Sequence, residues 1–331
     1  MSILQMQRRE LIAGLGATAA WPMVARADDT VQHVGLVSIA ASPDDPRVFG
    51  PFLDQIRKLG YVDGDNIVFE RRFGAGRDEQ IREFVTDLVR RKVAVIVVTG
   101  IRESIAAMEA TATIPIVMIV NPDPIGMGLV RSLAHPGGNV TGLTTMDWDI
   151  YGKRIEILKQ AVPDLRKAAL LLSSGNPVYR RGSAWAAKVI ADSSLLGVDL
   201  SIAETGSNNI DAAIASANAS GAQCLVGAFD GVFLGNAKDI AEIAMKYRLP
   251  TIFAFRQNVE LGGLMMYGAR LTDLSRRAAY FVDRILKGAD PGDMPIEQPT
   301  KFDFIINLKT AKALSLEIPP SLLARADEVI E

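Results

Sequence analysis

The residues able to do chemistry are few, and their spacing suits holding a molecule better than transforming one. The chain carries two histidines, His33 and His135, and one cysteine, Cys224. That leaves almost no material for a zinc or iron site, and no Asp/Asn-rich loop has calcium-binding spacing. Neither histidine follows an apolar run, where a pocket residue of a Ser-His-Asp set would sit. No G-x-S-x-G elbow, P-loop or H-E-x-x-H is present, and Cys224 lies within an apolar run where a thiol is ordinary packing. What remains is a set of hydroxyls, amides, rings and charges that follow short apolar runs: Ser38, Thr99-Gly100, Asn121 and Asp123, Ser173 to Asn176, Tyr179, and Phe229-Asp230. Tyr151, Phe255-Arg256 and Tyr267 stand near joints of the pattern. Asp230 suits a ligand ammonium, or it caps a following helix. Arg256 suits a carboxylate gripped by two parallel hydrogen bonds, or it forms a salt bridge between folding units. Tyr151 and Tyr179 offer ring faces or simply pack. Thr99-Gly100 reads equally as a turn and cap, and Asn121-Pro122-Asp123-Pro124 as a rigid turn.

The elements that must position these groups are short β-branched runs alternating with longer amphipathic stretches. Residues 33–38, 66–73, 93–98 and 116–120 read as strands, and 46–59, 78–91 and 104–112 as helices between them. The run Val93 to Val98 is apolar throughout, as buried parallel strands are, whereas 66–73 alternates like an edge strand. Pro136-Gly137-Gly138 breaks the pattern, and Val140 to Thr144 reads as a strand leaving the first unit. Strands are then expected at 168–172, 199–203, 224–228, 250–254, 264–267 and 304–307, with helices at 151–162, 183–196, 210–219, 236–247 and 271–286, and a short helix from Lys309. This alternation predicts an α/β protein of two Rossmann-like, doubly wound parallel-sheet lobes. Lobe 1 is expected over 31–143 plus about 256–287, and lobe 2 over 144–255 plus about 301–331. Ligands of open α/β sheets bind beyond the carboxyl ends of the strands, which is where the residues named above fall.

The first residues read differently. Arg8-Arg9, an apolar run from Leu11 to Trp21, and Ala25-Arg26-Ala27 form a signal peptide pattern over 1–27, with cleavage after Ala27 and a periplasmic destination. The run is too short to span a bilayer, and the twin arginine leaves the Tat and Sec routes both open. Gly14, Gly16 and Ala19 spell a nucleotide-binding motif without the strand that such a motif must follow. A formal net charge of −2 and 6% aromatic residues give no basic stripe or stacking platform for nucleic acid.

Several longer strings carry a resemblance. Ile114-Pro115-Ile116-Val117 leads to Asn121-Pro122-Asp123-Pro124-Ile125-Gly126, then to Pro136-Gly137-Gly138-Asn139-Val140-Thr141-Gly142. Arg248-Leu249-Pro250, Phe255-Arg256, Gly262-Gly263-Leu264-Met265, Tyr267-Gly268, Asp283 to Gly288, Gln298 to Phe302 and Ile306 to Ala311 follow. Together they resemble the ABC-transporter substrate-binding proteins of the TrpX-like type, over essentially all of 31–331. The resemblance implies a type I periplasmic-binding fold whose lobes are joined by three crossings and close by a hinge on a ligand. It implies a binding protein and no enzyme, with no cofactor and an inner-membrane ABC permease as partner, acting as a monomer. Where relatives often carry Ser-Asp-Pro this chain has Asn121 to Pro124, and where they often carry Pro-Asp-Pro-Phe it has Ala228-Phe229-Asp230-Gly231. The expected ligand is an amino acid or related carboxylate, met by Ser38, Thr99, Gly100, Asn121, Asp123, Tyr151, Asn176, Tyr179, Phe229, Asp230, Phe255 and Arg256. A sensor subunit with the same cleft and an exported α/β enzyme are the alternatives. A LacI-type regulator shares the fold, but its DNA-binding helices would stand where the signal pattern lies.

Overall fold

The computed structural model describes residues 31–39, 46–145, 147–178, 183–206 and 208–331. The signal-peptide expectation therefore falls outside the described residues, as does Tyr179.

The first lobe is built on β1 (Gln32–Ser38), β2 (Ile67–Phe73), β3 (Val95–Val98), β4 (Ile116–Met118) and β5 (Val140–Gly142). These five strands are all parallel, in the order β2-β1-β3-β4-β5, with β2 on an edge as its alternating pattern requires. Between them run α1 (Pro46–Lys58), α2 (Asp78–Arg90) and α3 (Ile101–Ala110). Strand period explains the layers: Val95 and Val97 face one side, Ile96 and Val98 the other. The side of Ile96 and Val98 packs on Ile81, Val85 and Leu88 of α2. The opposite side packs on Phe52 and Ile56 of α1 and on a helix that arrives from far along the chain, α10 (Leu271–Leu286).

The second lobe starts with α4 (Asp147–Ala161), β6 (Lys167–Ser173), α5 (Ala184–Leu195), β7 (Asp199–Thr205), α6 (Ile210–Ala219) and β8 (Cys224–Gly227). It continues through α7 (Gly231–Gly235), α8 (Ala237–Lys246), β9 (Thr251–Phe253), α9 (Arg256–Glu260) and β10 (Met265–Ala269). Then α10 (Leu271–Leu286) returns to the first lobe, and a 3-10 turn at Pro291–Asp293 lies against β5. Finally β11 (Phe302–Asn307), α11 (Leu308–Ala313), α12 (Pro320–Leu323) and β12 (Glu328–Ile330) rejoin the second. Its seven strands are ordered β12-β11-β10-β9-β8-β6-β7, parallel except where β11 runs against β10.

The topology corrects one boundary expected from sequence. The segment 256–287, assigned whole to the first lobe, divides: β10 pairs with β9 and β11 in the second sheet, and only α10 packs on the first. The cause is visible at Arg270, the single residue between β10 and α10, where the chain changes lobe without any loop to announce it. The short helices α7, α9 and α12 and the strand β12 are not legible in the periodicity, since three to five residues cannot establish a period. Among the described residues no helix is long and apolar enough to cross a membrane.

Candidate functional site

The carboxyl ends of both sheets meet around one cavity of about 800 Å³, counting the space open to solvent. From the first lobe come Ser38 at the end of β1 and Ile39 after it, Thr99 and Gly100 after β3, Arg102 and Glu103 in the first turn of α3, and Ile119, Val120 and Pro122 after β4. The second lobe supplies Asn176 after β6, Phe229, Asp230 and Gly231 after β8, and Phe255 after β9. Leu271 and Ser275 of α10 complete the wall.

Two polar arrangements face each other across this space. On the first lobe, Glu103 is 1% exposed, and its Oε1 accepts from the Ile39 N–H (2.7 Å) and the Thr99 hydroxyl (2.8 Å). The Thr99 hydroxyl also lies 2.8 Å from that of Ser38. Burial pushes the Glu103 carboxyl above the ordinary carboxylate range, against the pull of its hydrogen bonds and of Arg102. Gly100 makes the fit possible, because a Cβ there would stand 3.0 Å from Glu103 Oε2.

On the second lobe, both carboxylate oxygens of Asp230 are engaged. Its Oδ1 accepts from the Val232 N–H (2.8 Å), which caps α7, and its Oδ2 from Asn176 Nδ2 (2.7 Å). Arg102 reaches over from the first lobe, donating to Ser173 Oγ at 2.8 Å and lying 3.4 Å from Asp230 Oδ2. Its other terminal nitrogen is 3.3 Å from Asp78 of α2. Gly175 leaves the guanidinium its room, since a Cβ there would come within 2.8 Å of it. The lobes thus touch through a bridged, mostly buried charge pair.

The rest of the wall is apolar. Phe229 and Phe255 pack ring to ring, 4.6 Å between centroids and tilted by 43°, and Ile39, Ile101, Ile119, Val120 and Leu271 add to the apolar lining. Ser275 is the exception: it is 3% exposed and its hydroxyl has no hydrogen-bond partner among the described residues.

Seven of the residues expected from sequence line this cavity: Ser38, Thr99, Gly100, Asn176, Phe229, Asp230 and Phe255. Others take different places. Tyr151 is wholly buried, its hydroxyl accepting the Phe229 N–H at 2.8 Å while its ring meets Trp185 edge-on. It sets the Phe229 loop and offers no open ring face. Asn121 lies buried just behind the wall, its Oδ1 accepting from the Asp123 N–H (3.0 Å) while its Nδ2 lacks a partner. Asp123 accepts from the Gly126 N–H (2.8 Å) and closes the turn after β4. Arg256 does not face the cavity at all. It is bound bidentately by Glu328 of β12 at 2.5 and 2.6 Å, and by Glu260 at 2.6 Å, all within the second lobe. Those hydrogen bonds raise its pKa further. In place of the expected carboxylate clamp or inter-lobe bridge stands a half-exposed salt bridge within the second lobe, away from this cavity. Cys224 is buried in β8, where desolvation pushes its thiol up to about 12.

Sequence reasoning passed over Arg102, Glu103 and Ser275. The first two stand one helical turn beyond Thr99-Gly100, so extending the strand-end rule into the next turn would have caught them. Ser275 sits one turn into the amphipathic helix α10, a little past the end of β10, and nothing local marks it.

Two open-sheet lobes enclosing a cleft at their carboxyl edges are a recurrent plan for small-molecule capture. The model of the ABC transporter substrate binding protein family matches residues 33–330. This chain belongs to that family. Among the relatives of this substrate-binding protein, a tyrosine-binding protein of Clostridioides difficile (strain R20291) is 25% identical over 299 residues, covering 86% of this chain and 81% of the relative. The solved ABC domain in complex with L-Trp from Streptococcus pneumonia superposes with a TM-score of 0.83 at 22% identity, over 90% of this chain and 99% of that one. A conserved domain protein from Vibrio cholerae gives 0.82 at 25% identity, with the same coverage. The two lobes with parallel sheets are those of type I periplasmic-binding folds. The family is one of solute-binding proteins and not enzymes, and the Clostridioides difficile relative is named for binding tyrosine.

Proposed function

We propose that this protein is the exported capture subunit of an ABC importer, and that its cargo is an amino acid with an aromatic side chain. The observation that carries the ligand class is the mixed lining of the cavity. Buried acids, hydroxyls and an amide share it with the Phe229–Phe255 ring pair and with Ser275, whose hydroxyl has no partner among the described residues. A zwitterionic head group with a flat apolar body matches this mixture, and a polar atom on the ring would give the Ser275 hydroxyl its missing partner. The tyrosine-binding and L-Trp-bound relatives agree with this reading. Cleavage after Ala27 would release the protein to the periplasm, where closure of the lobes presents a distinct surface to a membrane permease.

Calorimetric titration of the purified protein with L-tyrosine, L-tryptophan, L-alanine and L-arabinose tests the ligand class. Saturable binding of the aromatic amino acids, with alanine at least tenfold weaker and the sugar silent, is the expected result. A preference for alanine or arabinose would defeat the proposal.

A further inference from the structure

The cavity holds two buried acids, and they are in different electrostatic circumstances. Asp230 is already balanced, with Arg102 beside it and N–H donors on both oxygens. Glu103 receives neutral donors: the Ile39 N–H and the Thr99 hydroxyl, both on Oε1, and its own backbone N–H. Among the described residues no cation stands within ion-pairing distance of it, although Arg102 is its neighbour in sequence. That guanidinium is turned away to Ser173, Asp230 and Asp78. A buried carboxyl without a counter-ion is costly unless it is protonated or a cation is supplied from outside.

We infer that Glu103, and not Asp230, is the group that receives the ammonium of the bound ligand. The inference rests on the amino-acid reading above and sharpens it. A place in the first turn of α3 suits any acid, through the helix dipole and its free N–H groups, but that role does not require membership of the cavity wall. The ligand supplies the missing positive charge, so binding draws Glu103 into its ionised form and expels a proton. The charged groups that bear on this are Arg102 on the same helix, Asp230 across the cleft and Asp78 of α2; Arg102 ties the other two to itself. Because burial raises the Glu103 carboxyl, affinity for an ammonium rises as pH climbs through its titration and levels off above it.

The test uses three probes that differ only in their ends: L-tyrosine, tyramine, which lacks the carboxylate, and 3-(4-hydroxyphenyl)propionate, which lacks the ammonium. They are titrated into the wild type, Glu103→Gln and Glu103→Asp, with thermal unfolding to confirm that each variant folds. Glu103→Gln keeps an oxygen for Ile39 and Thr99 but loses the charge. The expected result is at least a tenfold loss for tyrosine and tyramine in Glu103→Gln, no loss for the propionate, and a pH dependence of tyrosine affinity that becomes flat. Glu103→Asp keeps the charge and the pH dependence, and it carries the test if the glutamine variant fails to fold. Unchanged tyrosine and tyramine affinity in a folded Glu103→Gln overturns the assignment alone. A wild type that prefers the propionate to tyramine also overturns it. A wild type that binds none of the three overturns the aromatic amino-acid reading and the assignment with it.

Discussion

Arg102 and Arg256 each follow the end of a strand by a few residues, and each pairs with carboxylates, yet they belong to opposite kinds of region. Arg102 lies in the cleft with a side chain 10% exposed, and its partners Ser173 and Asp230 are on the other lobe. Arg256 has a side chain 45% exposed, and its partners Glu260 and Glu328 are in its own lobe. An ion pair on the outer surface is screened by water and contributes about 0–1 kcal/mol, however good its geometry. A buried pair that spans two bodies is different in kind. It couples the relation of those bodies to the fate of a desolvated charge. Residue type and local sequence do not separate the two arginines; their side of the sheet edge does.

Double-mutant cycles on the two pairs would break or sharpen the contrast. Arg102→Ala with Asp230→Asn should show a coupling energy of about 1–3 kcal/mol in thermal or urea unfolding. Arg102→Ala alone should also enlarge the radius of gyration of the empty protein in small-angle scattering, because Asp230 regains water when the lobes part. Arg256→Ala with Glu328→Gln should couple by less than about 1 kcal/mol, and less still in high salt. Equal couplings for the two pairs would erase the distinction between cleft and outer surface.

A smaller effect is expected at Ser275. Its hydroxyl is buried without a partner, so Ser275→Ala should leave the empty protein unchanged or slightly more stable. Affinity for tyrosine should fall by roughly fivefold, on the order of 1 kcal/mol, while affinity for phenylalanine holds. Equal losses for both ligands would mean that the hydroxyl reads nothing on the ring.

The smallest effect belongs to the outer face of the first sheet. Burial pushes the Glu70 carboxyl up, but hydrogen bonds from His33 and Arg72 and the charges of Arg91 and Arg72 outweigh it and hold the group below its ordinary range. A depressed carboxylate contributes stability that is present above its unfolded pKa and is lost as pH falls through the folded one. Acid titration of stability should therefore be slightly shallower in Glu70→Gln, and binding should be untouched.

Much of the fold was legible because its strands are long apolar runs and its helices carry one apolar face; Val93 to Val98 and Leu271 to Leu286 are clear instances. The strand-end rule points to Ser38, Thr99, Asn176, Phe229, Asp230 and Phe255, which line the cavity, since that rule depends only on where strands stop. The rule says nothing of burial or direction. Tyr151 offers a ring face in sequence, yet it is buried and its hydroxyl holds the Phe229 amide. Arg256 follows Phe255 directly, and the first faces outward while the second lines the cleft. Ser275 and the crossing at Arg270 depend on long-range packing that no local window contains.

That crossing sets how the cleft works as a mechanism. With one residue between β10 and α10, rotation between the lobes has little chain in which to be taken up there, so Leu271 and Ser275 ride close to the pivot and sweep a short arc. Arg102 meets Ser173 and Asp230 across the gap. Parting the lobes would break those contacts while leaving Leu271 and Ser275 tethered beside the crossing, so the wall there is a standing berth and the charged rim a clasp that any opening must first unfasten.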